Sequence, residues 1–129
     1  IALIQLSTSR IACLFRVSDK CRFPVSLRSI LENEGVTKIG QGSSDEIKEI
    51  RELWGVKVRG ILDLIPLARH AGCHSFSLRS LAALYLSIRI SKNAQTSNWE
   101  NKVLTKHQQL YAATDAWVCR EIFLRMKNA

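Results

Sequence analysis

A carboxylate set into an apolar helix is the feature that most restricts how this 129-residue chain can fold. The stretch Leu104-Thr105-Lys106-His107-Gln108-Gln109-Leu110-Tyr111-Ala112-Ala113-Thr114-Asp115-Ala116-Trp117 has helical periodicity and puts a phenol, Tyr111, and an acid, Asp115, four residues apart on one face. Ala112, Ala113 and Ala116 keep the neighbouring surface thin, so a sheet can approach and bring strand ends near Asp115. Burying an acid is costly unless it is paired, hydrogen-bonded or metal-bound. Spacing alone leaves two readings open: a hydrogen bond that merely satisfies the acid, or a functional pair.

The elements leading up to this helix alternate between strand and helix. Ile1 to Ser7 and Ile11 to Val17 are β-favouring runs joined by Thr8-Ser9-Arg10, an antiparallel hairpin whose two apolar faces imply at least one central strand. Pro24 sits at the first turn of a helix over Val25 to Asn33, with Leu27, Ile30 and Leu31 on one face and Gly35 ending it. Thr37 to Gly40 is a short strand that breaks into a Gly and Ser turn. The turn feeds a helix from Ser44 to Trp54, capped by Ser43 or Ser44 and stopped by Gly55. A strand centred on Gly60 to Leu64 precedes a helix starting at Pro66 and ending near Gly72, and Ser77 caps the next. Residues 87 to 100 are polar and irregular. Thr105-x-x-Gln108 is a capping box that starts the last helix, which runs to about Lys127. Strands alternating with helices describe one α/β domain over residues 1 to 129.

Lys and Arg number 19 against 11 Asp and Glu, a net charge of +8 that favours polyanionic partners. Cys13, Cys21, Cys73 and Cys119 are widely spaced with no C-x-x-C pair, which reads as buried free thiols in a reducing compartment. No apolar run approaches the ~20 residues needed to cross a bilayer, and Ile1 to Leu6 is too short for a signal-peptide core. The expectation is an intracellular protein with no membrane partner, cytoplasmic, or nuclear in a eukaryote. The chain opens on Ile1 and runs straight into a strand-like pattern, which reads as a fragment.

A second acidic pair, Asp45-Glu46, stands in the first turn of the helix after Gly42, where the helix dipole favours acids in any protein. Glu46 shares the face of Ile50, Leu53 and Trp54, which must turn inward, and Asp45 lies with Lys48, Glu49 and Glu52 on the polar side. Cys73-His74 lacks a second ligand at metal spacing and reads as a turn. Gly40-Gln41-Gly42 matches no phosphate-loop motif and also reads as a sharp turn. Basic residues are scattered and most form a solvated face, while Arg89 and Lys92 beside Trp99 in the polar loop are candidates for a nucleic-acid edge.

Taken together, I-A-L-I-Q-L-S (1 to 7), K-I-G-Q-G-S-S-D-E-I (38 to 47), S-N-W (97 to 99) and L-T-K-H-Q-Q-L-Y-A-A-T-D-A-W resemble the 3′–5′ exonuclease domain of the ribonuclease D and Werner-helicase type. This is the DnaQ-like group with four acids and a tyrosine. The resemblance implies a ribonuclease H-like fold with a mixed central sheet flanked by helices. It also implies two divalent ions, Mg²⁺ or Mn²⁺, held by carboxylates, and cleavage at the 3′ end of DNA or RNA. Carried over by position, Asp115 would bind a metal and Tyr111 would orient the attacking water. The group's second motif places its acid on Glu46 without a gap, with Asp45 one place early, so both are candidates. Its first motif, Asp-x-Glu on a strand just before a sequence like Ile1 to Leu6, is absent. The expected domain is therefore truncated at its N-terminal strand and inactive alone, and the alternative is an exonuclease-like binding module that has lost catalysis.

Overall fold

The computed structural model describes residues 3–18, 20–91 and 98–128. Strands β1 (Leu3–Ser7) and β2 (Ala12–Arg16) pair antiparallel, Leu3 opposite Arg16 and Ser7 opposite Ala12. The chain continues through α1 (Val25–Glu32), β3 (Lys38–Gly40), α2 (Ser44–Trp54), β4 (Ile61–Asp63), α3 (Leu64–His70), α4 (Leu78–Leu86) and α5 (Lys106–Lys127). Strands β3 and β4 pair parallel, with Gly40 opposite Asp63. The mixed character expected of the sheet is present, as one antiparallel and one parallel ladder.

Two buried clusters show how the layers stack. One joins Val17, Phe23, Leu27, Leu31, Ile50 and Val56, and Ile4, Leu6 and Phe15 of the hairpin pack onto it. The other joins Leu64, Ala68, Leu81, Ala82, Ile90, Val118, Cys119 and Ile122, with Ile39 of β3 packed against it. Helices α1 and α2 thus cover one face of the strands, and α3, α4 and α5 the other. Strand alternation in β3 obeys the same division: Ile39 turns to the α5 side and Lys38 to the α1 side.

Four expectations need correction. Among the described residues each strand has one ladder partner, so no strand is central. The two apolar faces of β1 are instead explained by helices on both sides of it. Between β1 and β3 lies a cleft of about 740 Å³, lined by Leu6, Lys38 and Ile39, by Ile30 of α1, and by Ala116 and Arg120 of α5. Ile30, expected in the core with Leu27 and Leu31, is 37% exposed. The helix after β4 starts at Leu64, two residues before Pro66, because Asp63 caps it by accepting from the Ile65 amide at 2.9 Å. A proline in a first turn sacrifices no hydrogen bond, since those amides have no partner within the helix. All four cysteines are free, but Cys13 and Cys21 are exposed and Cys119 alone is buried. Among the described residues no helix is long and apolar enough to cross a membrane.

The end of α1 is held from outside. Lys38 is 7% exposed, and its ammonium donates to the carbonyls of Ile30 at 3.0 Å and Asn33 at 2.8 Å, adding a charged donor to oxygens that also accept from the Asn33 and Val36 amides. Burial lowers the pKa of Lys38. Beside it the Lys38 amide donates to the Gly60 carbonyl at 2.8 Å, and Gly60 sits at φ 69° where a Cβ would meet the Val36 oxygen at 2.8 Å. Replacing Lys38 by Met should therefore remove two hydrogen bonds from a charged donor. The expected cost is about 1–3 kcal/mol of unfolding free energy, read from urea denaturation.

Candidate active site

Helix α5 begins with the expected capping box: Thr105 Oγ1 accepts from the Gln108 amide at 3.1 Å, and Gln108 Oε1 accepts from the Thr105 amide at 2.9 Å. The Gln108 side chain also donates to the carbonyl of Asn98 at 3.1 Å, fastening the loop before the helix to its first turn. That loop carries Trp99, whose ring lies against Tyr111 with centroids 6.0 Å apart and planes tilted by 39°. Trp99, expected at a nucleic-acid edge, is thus half-buried beside the first candidate catalytic side chain. Arg89 is exposed beyond the end of α4, and Lys92 lies outside the described residues.

One turn further along α5 stands Asp115, half-buried like Tyr111. Burial pushes the Asp115 carboxyl up to about 6. Among the described residues its carboxylate makes no hydrogen bond or ion pair, so a bond from Tyr111 does not account for the acid. The Tyr111 phenol is raised as well, first by burial and then by the charge of Asp115. Both therefore hold their protons more tightly than in water. The Cys119 thiol, one turn beyond, donates to the Asp115 main-chain oxygen at 3.3 Å and is pushed up to about 12, first by burial and then by the charges of Asp115 and Asp63. A thiol so protonated is no nucleophile at neutral pH.

The second acidic pair is placed differently from the helical-wheel expectation. Both Asp45 and Glu46 are exposed, so Glu46 does not turn inward. Ile50 is the buried residue of α2, Leu53 is 47% exposed, and the packed part of the helix begins beyond its first turn. A wheel assigns a face to every turn, but only turns with something packed against them bury it. Among the described residues no three His, Cys, Asp or Glu side chains gather in a group able to hold a metal. Carboxylate oxygens alone suit hard cations such as Mg²⁺ and Mn²⁺ over zinc, so the donors fit in kind while Asp115, Asp45 and Glu46 do not converge.

Sequence reasoning passed over Asp63. Its Oδ1 accepts from the Gly42 amide at 3.1 Å as well as from Ile65, tying the end of β4 to the turn that leads into α2. An Asp immediately before an apolar helical run is a capping signal that could have found it. Gly40-Gln41-Gly42 is a turn, as expected, with Gln41 donating to the Phe76 carbonyl at 2.7 Å. Cys73 lies 3.7 Å from the Tyr85 hydroxyl and His74 is exposed.

Comparison with known proteins follows the same lines. A protein-family model described as "3'-5' exonuclease" matches residues 1–129. The mouse bifunctional 3'-5' exonuclease/ATP-dependent helicase WRN is 34% identical over 134 residues, covering 99% of this chain and 10% of that protein. The Drosophila melanogaster exonuclease 3'-5' domain-containing protein 2 is 34% identical over 129 residues, covering 98% of this chain and 22% of that protein. The chain therefore spans less than a quarter of the length of either relative. The Brucella melitensis NrnC structure superposes with a TM-score of 0.88 at 18% identity, over 98% of this chain and 63% of that one. The shared architecture is the α/β, ribonuclease H-like fold. With a family match along its whole length and the fold to go with it, the chain belongs to the 3'-5' exonuclease family.

Proposed function

We propose that residues 1–129 form the greater part of a metal-dependent domain that removes nucleotides from the 3′ end of DNA or RNA. The observation that carries this is Asp115, a half-buried acid with no hydrogen-bond or ion-pair partner among the described residues, one turn from Tyr111. An acid raised toward neutrality by its surroundings is a reluctant anion, and a divalent cation is what makes its charge favourable. Two such ions would supply activation of the attacking water and stabilisation of the leaving 3′ oxygen. Asp115 would hold one of them, and Asp45 or Glu46 would supply the second-motif carboxylate. Tyr111, kept protonated by burial and by Asp115, presents an O–H at neutral pH, so its part is to orient the water and not to remove its proton. Trp99 stacks on the terminal base and Arg89, with Lys92, meets the backbone phosphates.

The other two acids of the set stand on an added strand in the cleft between β1 and β3. Each bordering strand has a ladder partner on its far side alone among the described residues, and α1 and α5 close the cleft on both faces, which supports this completion. The second reading, a binding module without catalysis, draws on the exposure of Asp45 and Glu46.

In the full-length protein with Mn²⁺, Asp115→Asn should lower 3′-end cleavage about a thousandfold, the loss expected when several kcal/mol of charge stabilisation go. Equal activity in both proteins removes Asp115 from the mechanism, and no activity in either favours the binding module. Tyr111→Phe should cost about a hundredfold in kcat, through a misplaced water.

Asp115 also gives a pH signature. Its folded pKa of about 6 lies above its ordinary 3.8, so the folded chain binds the proton more tightly than the unfolded chain. The stability this contributes is full below pH ~4 and is lost as pH rises through about 6. Without divalent ions, the unfolding free energy of the wild type should fall relative to that of Asp115→Asn across this window and run parallel above it. Mn²⁺ should reduce the drop. Identical pH profiles for the two proteins would contradict a desolvated Asp115.

A further inference from the structure

We propose that Asp63 is a positioning residue of the candidate active site: it clasps the turn Gly40 to Ser44 and so fixes where Asp45 and Glu46 stand relative to Asp115. The proposal rests on the exonuclease reading above. Strands β3 and β4 end together, Gly40 opposite Asp63, and the chain leaves each of them for a helix. One carboxylate oxygen of Asp63 serves both departures, accepting from Gly42 at 3.1 Å across the ladder and from Ile65 at 2.9 Å in its own helix. Bonds to an ionised acceptor are the stronger kind.

Gln41 ties the start of the turn to the Phe76 carbonyl at 2.7 Å, and the part that leads into α2 depends on Asp63. Gly42 adopts φ 62°, a left-handed geometry that other residues rarely take, and a Cβ there would meet Ile65 Cδ1 at 3.3 Å. Ser43 occupies the N-cap position of α2 but makes no capping bond, and its hydroxyl is buried with no partner among the described residues. The usual local device for fixing a helix start is therefore missing from α2. Asp63 instead holds the residue before that cap, through the Gly42 amide. The charge of Asp63 also reaches Cys119, as that of Asp115 does, so the clasp lies at the level of α5 that carries the catalytic candidate.

Asp63 has two jobs, the cap of α3 and the clasp on Gly42, and one substitution separates them. Serine caps a helix about as well as aspartate but is a bond shorter, so Asp63→Ser keeps the bond to Ile65 and gives up the reach to Gly42. Asn retains both acceptor contacts. In the full-length protein, Asp63→Ser should unfold at the wild-type urea midpoint, while its Gly42 amide exchanges with solvent about tenfold faster or more. The Mn²⁺ concentration giving half-maximal 3′-end cleavage should rise by a similar factor, and Asp63→Asn should restore both values. Wild-type exchange at Gly42 in Asp63→Ser overturns the clasp, and faster exchange with an unchanged Mn²⁺ requirement overturns its role in positioning. Failure of the exonuclease reading itself shows separately, as full activity in Asp115→Asn, and leaves the exchange measurement standing.

Discussion

Close packing of the strands against one long helix is what the rest of the molecule depends on. Helix α5 touches β1, β2, β3 and α4, and it can do so because Ala112 is buried and Ala116 borders the cleft where larger side chains would hold the strands away. Helices tolerate alanine well, so the thin surface costs nothing in local propensity. The same closeness that builds the layers also removes water from Asp115. The acid's raised pKa is thus a consequence of how the fold is assembled and not of any special neighbour, since burial is its sole resolved cause.

Much of this was legible because the signals are local. The hairpin, the Ser77 and Thr105 caps, the Gly55 stop and the Tyr111 and Asp115 spacing each depend on residues within a few positions of one another. What stayed hidden depends on residues far apart in sequence. Glu46 reads as inward from its own helix, and its exposure is decided by what does or does not lie opposite the first turn of α2. Lys38 reads as a strand cation, yet its ammonium serves carbonyls eight and five residues earlier. Asp63 looked like the end of a strand, and its importance comes from an amide 21 residues away. The apolar faces of β1 suggested neighbours in a ladder, where helices on either side do the covering. Hydrophobicity reports that a face is covered but not what covers it.

The candidate site divides in the same way. Its α5 half is preorganised: a capped helix, an aromatic contact and a desolvated acid, all within about the first three turns of one helix. Its α2 half is exposed and held through a turn. Such a division puts the rigid donor first and the adjustable ones second, an arrangement in which the geometry of the complete site is set by the part that moves least.

One side chain in this arrangement carries unusual heritable weight. Gln108 closes the capping box with its oxygen and holds the Trp99 loop with its nitrogen, and Tyr111 follows it by three residues. A glutamate could keep the first contact but would lose the second, and a lysine could keep neither the acceptor nor the cap. The helix start, the loop and the stacked ring are therefore tied through one amide, so a substitution there disturbs all three at once.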